Sequence, residues 1–478
     1  MYAILALGAT AFILCLILTP LCRDLFLRYK IVDHPDEDRK LHLSPIPRIG
    51  GIPIVISYAG ALCLMIFFAP QGAQLYIQHR TLLLSLMPAT AVIFLTGLLD
   101  DLIELSPVQK LSGQFIAAAL AVALSAKITA FHGQPYSLWI SIPLSLVWLI
   151  ACTNAVNLID GLDGLASGVG IFATIATLAE AVLSGNLGLA AATIPLVGCL
   201  LAFLRYNFSP ASIFLGDCGS LTIGFMLGCF GLIWSQRSGT LLGMAGPSMV
   251  LVLPLVDVVL SIGRRFLRGV PIFKGDRGHI HHMILARGFK PSSAALILYS
   301  VCFIAAFFAL LQNYSRAQFR APIIGLFCSL VWVGVNYLGY VEFDALRKTL
   351  SRRSVLTGLH EEIYLHELRR SIQEADTVES CWAVVRGACK DVGFATSQMY
   401  LLGCSFEANF ILSTVSPSWK MTVALGREGH LMLTRTGEGP PPRLMMSALV
   451  LLQETIREKE VALANPTSPV THMVSGAA

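Results

Sequence analysis

Apolar positions run unbroken for the length of a membrane helix, again and again, from Tyr2 to Val341, with short polar interruptions between them. A bilayer core needs roughly 20 predominantly apolar residues per helix. Eleven windows meet that need: 3–22, 51–69, 82–99, 112–130, 138–156, 165–184, 187–204, 213–234, 240–262, 294–312 and 321–341. They are continuous runs rich in Leu, Ala, Ile and Gly, not the short alternating segments of a membrane barrel. The pattern therefore predicts an all-α polytopic membrane protein of about eleven transmembrane helices. The first window has no basic stretch ahead of it and no small-residue cleavage site behind it, so it is expected to be a retained anchor rather than a signal peptide.

After Val341 the pattern changes, because charged residues become frequent and no further apolar run reaches membrane length. Residues 342–376 read as an amphipathic helical linker, and Trp382–Val392 continues helically. Ser397–Leu402, Phe410–Val415, Lys420–Leu425 and His430–Arg435 have strand-like composition. Gly437–Pro442 interrupts them, and Leu444–Leu463 reads as a closing helix before a Pro/Ser/Thr tail. The expected organisation is a membrane domain over 1–341, the linker, and a small cytoplasmic α/β domain over 377–478.

Composition narrows the class further. With 55% hydrophobic and 13% charged residues and a mean hydropathy of +0.70, the chain is neither an ordinary soluble protein nor a disordered one. A net charge of +5 spread over such a length argues against a nucleic-acid partner. The location of the charge is more telling. The interruptions at 23–50, 100–111, 157–164, 205–212 and 263–293 carry most of the Lys and Arg of the first 341 residues, which places the N-terminus outside and the C-terminus in the cytoplasm. Nearly all the acidic residues of this region fall on that same side, at Asp33, Asp36, Glu37, Asp38, Asp100, Asp101, Glu104, Asp160, Asp163, Asp217 and Asp276. The cysteines form no CxxC pair and sit mostly inside apolar windows, where they pack as small hydrophobes; packing is also the expectation for Cys218.

Five polar clusters then stand out on the cytoplasmic side, where charged side chains beside lipid are costly and functional by default. The loop Asp33-His34-Pro35 through Arg39-Lys40-Leu41-His42 to Pro47-Arg48-Ile49-Gly50-Gly51 is basic. It suits either a positive-inside anchor or close approach to a phosphate. Asp100-Asp101 closes the third window, with Lys110 following; adjacent carboxylates repel and persist where a divalent cation or a shared proton compensates. Asn154, Asn157, Asp160 and Asp163 recur every three residues between glycines and would share one face if locally helical. Phe214-Leu-Gly-Asp217-Cys-Gly-Ser220 opens the eighth window, and there Asp217 is either a functional carboxylate or a simple helix cap. Asp276-Arg277-Gly-His279-Ile-His281-His282 lies in the most basic loop, beside Arg264, Arg265, Arg268 and Lys274. Its histidines suit a diphosphate or sugar hydroxyls, since no thiolate or second cluster supports zinc.

Hard carboxylates for Mg²⁺, cations for phosphates and amides for a base or sugar, all at one membrane face, are phosphoryl-transfer equipment. No GxxxxGK[ST] loop occurs, so an ATP-driven pump is unsupported. A site bordering lipid points to a lipid-borne substrate.

These motifs, in this order over residues 1–341, resemble the polyprenyl-phosphate N-acetylhexosamine-1-phosphate transferases of glycosyltransferase family 4, with their WecA-like and TagO-like members. The resemblance implies an eleven-helix core in which undecaprenyl phosphate attacks a UDP-N-acetylhexosamine to give an undecaprenyl-diphospho-sugar and UMP. It implies Mg²⁺, with Mn²⁺ as an alternative, held by Asp217. Asp100, Asp101 and Asp160 become the catalytic candidates, Asp100 as a base or an orienter of the lipid phosphate. Lys110, Asn154 and Asn157 would meet the lipid phosphate, and Asp163 and Asn207 the nucleotide. Arg277, His279, His281 and His282, with Lys40 and Arg48, would meet the sugar diphosphate. The branch that transfers phospho-MurNAc-pentapeptide carries three consecutive histidines, whereas Ile280 interrupts the run here, which favours a plain amino sugar such as GlcNAc. The cytoplasmic (inner) membrane of a bacterium is the implied location; a homodimer and a cytoplasmic protein partner for the C-terminal domain are compatible with it. The rival classes are a transporter, which would place charges near mid-span as only Glu180 and Asp257 are placed, and a non-catalytic scaffold, against which the intact motifs speak.

Overall fold

The computed structural model describes residues 2–29, 46–68, 70–124, 130–131, 134–135, 137–236, 241–267, 278–339, 357–410, 419–425, 429–435 and 443–464. It divides into two compact units, Met1–Gly263 with Pro271–Leu338, and Arg264–Val270 with Gly339–Ala478.

The first unit is helical. Its elements are α1 (Tyr2–Arg28), α2 (Gly51–Phe68), α3 (Pro70–Ile103), α4 (Pro107–Leu124), a two-residue strand pair β1 (Ala130–Phe131) and β2 (Gln134–Pro135), and α5 (Leu138–Ile159). There follow α6 (Leu165–Leu183), α7 (Leu187–Asn207), α8 (Gly216–Ser235), α9 (Ala245–Val250), α10 (Val252–Leu267), α11 (Ile280–Leu285), α12 (Pro291–Tyr314) and α13 (Ala317–Leu338). Among the described residues ten helices are long and apolar enough to cross a membrane. The expected ninth window, 240–262, is instead divided into a 3-10 turn at Leu241–Met244, α9 and α10. The break falls at Leu251 (φ −98°, ψ 15°). Three residues on, Pro254 has no N–H to offer the Val250 carbonyl, and its ring crowds that carbonyl.

At the centre stands α8, whose apolar window is wholly buried, against about a third for α1 and α3. It packs on α2, α3, α5 and α6. Small residues let the backbones approach: a Cβ on Gly224 would lie 2.7 Å from the Cys152 carbonyl oxygen of α5, and one on Gly97 would lie 2.4 Å from the Asp217 carbonyl oxygen. The large apolar side chains left exposed, such as Phe67, Trp139, Phe303 and Trp332, suit a lipid surround.

Successive crossings alternate in direction, so the C-terminal ends of α3, α5 and α7 and the N-terminal ends of α4, α6 and α8 fall at one end of the unit. Among the described residues, the acidic and amide clusters found in the sequence sit at these ends, Arg48 just precedes α2, and the histidines follow α10.

The second unit contains α14 (Thr357–Glu374), α15 (Val378–Val392), β3 (Thr396–Leu401), β4 (Cys404–Asn409), β5 (Trp419–Ala424), β6 (His430–Arg435) and α16 (Arg443–Ala464). The sheet is antiparallel in the order β4-β3-β6-β5. Alternate residues Met399, Leu401, Leu431 and Leu433 join Ile372, Val385, Met445, Leu449 and Ile456 in one core. The second strand differs from expectation. It begins at Cys404 because Leu402 (φ 50°) and Gly403 (φ 83°) reverse the chain at once. Phe410 follows its end, and 411–415 lie outside the described residues.

Candidate active site

The adjacent acids at the end of α3 diverge. Asp101 turns toward α8, its two oxygens accepting the Asp217 and Cys218 backbone N–H groups at 2.8 Å each. It thereby caps a helix whose own first residue, Gly216, must be glycine, since φ is +72° and a Cβ would meet the Arg48 carbonyl oxygen at 1.9 Å. Asp217 is thus not the cap of α8 but a first-turn residue free to face outward. Asp100 accepts the Leu105 N–H at 2.9 Å through one oxygen and the Lys110 ammonium at 3.0 Å through the other.

Lys110, on the first turn of α4, also donates to Asp217. Asp100 and Asp217 thus meet at the same ammonium. From α5, Asn157 Nδ2 donates to Asp217 Oδ1 at 2.8 Å and to Ser220 Oγ at 2.9 Å. Four helices therefore converge on one partly open knot of two carboxylates, one ammonium and one amide.

One turn deeper, Asn154 is spent on α4. It exchanges amide hydrogen bonds with Gln114, at 3.2 and 2.5 Å, and donates to the Ile150 carbonyl at 2.8 Å. Expected at the lipid phosphate, it instead locks α5 to α4. The polar stripe does not stay on one face either. Helix α5 stops at Ile159, Asp160 is its C-cap, and Gly161 and Gly164 (φ +75°) carry the chain round to α6. Burial pushes the Asp160 carboxyl well above the usual carboxylate range, Asp217 adds to the rise, and Arg48 opposes it. Arg48 is brought there by pairing of its segment with the loop before α8, through Phe214 N–H to the Pro47 carbonyl at 2.9 Å and Gly50 N–H to the Phe214 carbonyl at 2.9 Å.

Asp163 accepts the Ala211 N–H at 3.0 Å. Asn207 is 2% exposed; it accepts from Ser167 Oγ at 2.8 Å and donates to the Ile213 carbonyl at 3.0 Å. Both amide ends being used, Asn207 shapes the loop 208–215 from within rather than facing the open site.

His279, His281 and His282 form a group of rings with centroids 4.3 to 6.5 Å apart. His279 Nδ1 lies 2.7 Å from Asp257 Oδ2. Burial lowers the His281 imidazole to about 3, with the neighbouring His282 contributing. Its Nε2 would lie 2.6 Å from a Cβ on Gly161, which puts the ring beside the turn after α5. Lys40 and Arg277 lie outside the described residues. The structure thus groups Asp100, Lys110, Asn157 and Asp217 directly, with Asp160 and Arg48 in electrostatic range. Asp257 and Gln114 are the partners that sequence reasoning did not assign. Their only signal was polarity inside an apolar run.

The family implied by the motifs calls for Mg²⁺. Among the described residues no three His, Cys, Asp or Glu side chains form a metal cage. Mg²⁺ does not need one, because it binds through one or two carboxylates plus water and phosphate oxygens. The Asp100–Asp217 pair, with an ammonium already drawn between its oxygens, fits that mode.

Comparisons with known proteins bear out the family that the motifs resemble. The family described as Glycosyl transferase family 4 matches residues 83–235. Over 350 residues the chain is 31% identical to a "Probable undecaprenyl-phosphate N-acetylglucosaminyl 1-phosphate transferase" of Bacillus subtilis (strain 168), covering 71% of this chain and 94% of that protein. It is 32% identical over 350 residues to a "Decaprenyl-phosphate N-acetylglucosaminephosphotransferase" of Mycobacterium tuberculosis (strain ATCC 25618 / H37Rv), covering 66% and 84%. To an "Undecaprenyl-phosphate alpha-N-acetylglucosaminyl 1-phosphate transferase" of Escherichia coli (strain K12) it is 27% identical over 298 residues, 60% of this chain and 77% of that one.

Proposed function

We propose that this chain, which belongs to glycosyl transferase family 4, transfers GlcNAc 1-phosphate from UDP-GlcNAc to undecaprenyl phosphate, releasing UMP and starting a lipid-linked envelope glycan. One diphosphate linkage replaces another, so the exchange is near isoenergetic and needs no ATP. Catalysis reduces to bringing two polyanions together and neutralising them. The observation that carries the reading is the knot of Asp100, Lys110, Asn157 and Asp217 at one end of a membrane bundle.

Asp217 and Asp100 would hold Mg²⁺, which when bound neutralises phosphate oxygens and polarises the phosphorus under attack. Asn157 keeps Asp217 turned outward. Lys110, held beside both carboxylates, would draw in the lipid phosphate. That phosphate is already largely ionised at neutral pH, so Asp100 orients rather than deprotonates. The α8 N-terminal amides are closed to the diphosphate because Asp101 occupies them; Asp101 is a positioning residue. Arg48 with the histidine rings would meet the sugar diphosphate, and Asp163, Asp160 and the loop shaped by Asn207 the nucleotide. The site would face the cytoplasm from the inner membrane of a bacterium.

The test is purified protein with radiolabelled UDP-GlcNAc, undecaprenyl phosphate and Mg²⁺. Labelled lipid and UMP are expected, with turnover stopped by EDTA and by Asp217→Asn. Absence of labelled lipid from the parent protein would refute the reading, and a parallel series of UDP-sugars would set the donor.

A further inference from the structure

Asp257, in α10, is used by no step above, yet it is 1% exposed and both its oxygens are engaged. Oδ1 accepts the Ile280 backbone N–H at 2.8 Å, which anchors the start of α11. An amide would do that as well as a carboxylate. Oδ2 lies 2.7 Å from His279 Nδ1, and Ser261 Oγ, one turn along α10, lies 3.3 Å from the same nitrogen.

A carboxylate only accepts, so the hydrogen of the Asp257–His279 bond belongs to Nδ1. Among the described residues only Nδ1 of this ring is engaged, which leaves Nε2 for a ligand. The plane is fixed too. The His279 ring lies parallel to that of His281, 7° off at 5.8 Å between centroids. His281 is 1% exposed, and among the described residues neither of its nitrogens has a hydrogen-bond partner. A buried ring with both polar atoms idle, stacked on one clamped by a carboxylate, marks a place prepared for a polar ligand.

We propose that Asp257 is a positioning residue for the transfer reaction. Acting through His279, it fixes the Nδ1–H tautomer and the ring plane, so that Nε2 is presented to the sugar-diphosphate part of the donor. This rests on the functional reading above. For metal-ligating imidazoles, loss of a carboxylate that orients the ring through its other nitrogen lowers affinity or activity about 10- to 100-fold, and the same orienting role sets the scale here.

Asp257→Asn is the informative variant. Its carbonyl keeps the bond to Ile280, while its NH₂ facing Nδ1 makes that nitrogen an acceptor and moves the ring proton to Nε2. The expected result is a fall of about 10- to 100-fold in kcat/KM for UDP-GlcNAc, and no further fall when Asp257→Asn is added to His279→Ala. Activity within about twofold of the parent, or an equal loss in both backgrounds, would overturn the proposal. A second measurement needs no variant: in histidine labelled with ¹⁵N, His279 of the parent must show a protonated Nδ1. A protonated Nε2 with a bare Nδ1 would refute it. The spectrum reads the clamp even if the parent makes no labelled lipid, an outcome that would sink the functional reading instead.

Discussion

Asp100 and Asp101 are adjacent in sequence and do different work. Asp101 satisfies two α8 amides, so Asp101→Ala leaves buried donors unpaired and should cost about 1–3 kcal/mol of stability besides activity. Asp217→Asn spares the cap; it should lower transfer at least about 100-fold while the unfolding midpoint in detergent holds. Differential scanning of the two variants beside the lipid-product assay checks the division. Asp160 carries a pH signature. Its folded pKa is raised by burial, so the folded state holds the proton more tightly than the unfolded one, and stability falls as pH rises from about 4 through the raised value. Asp160→Asn should therefore raise the unfolding midpoint at about pH 8 and flatten its decline with pH; an unchanged slope would contradict the burial argument. At this scale the sequence named nearly every polar residue of the site, because a charge beside lipid announces itself. Partnerships were beyond it. That Asp101 reaches an amide 116 positions away, or that Asn154 pairs with Gln114, depends on how helices rotate against one another.

Among the elements, α8 and its neighbours are joined by glycine contacts. A methyl at Gly97 or Gly51 would meet α8 backbone, 2.4 Å from the Asp217 carbonyl oxygen or the Gly219 nitrogen. Gly97→Ala should cost about 1–3 kcal/mol by overpacking and displace Asp217 enough to remove most activity. Gly325→Ala, which meets nothing within 4 Å, should change neither, as parallel assays of the two would show. Helix existence was plain from apolar length alone. Two boundaries were not, since each turned on local stereochemistry that composition averages out. Pro254 divides the ninth window, and Leu402-Gly403 starts β4 at Cys404, ahead of the expected Phe410.

For the whole molecule, alternation of direction explains why polar groups spread from Arg48 to His282 share one end of the first unit. All of them precede Leu338, so a chain ending there should still form labelled lipid in isolated membranes; complete loss would give the C-terminal unit a direct part in the reaction. With α9 and α10 counted together as an eleventh, divided crossing, reporters fused before Tyr2 and after Ala478 should come out on opposite sides of the membrane, the latter inside. The ammonium of Lys110, held between Asp100 and Asp217, has a consequence beyond the reaction. One ammonium offsets part of the repulsion between the two carboxylates without any divalent ion, so the folded bundle should not depend on metal supply. Chelation should halt turnover reversibly without shifting the unfolding midpoint, so that a cell starved of magnesium would keep an idle, intact enzyme in reserve.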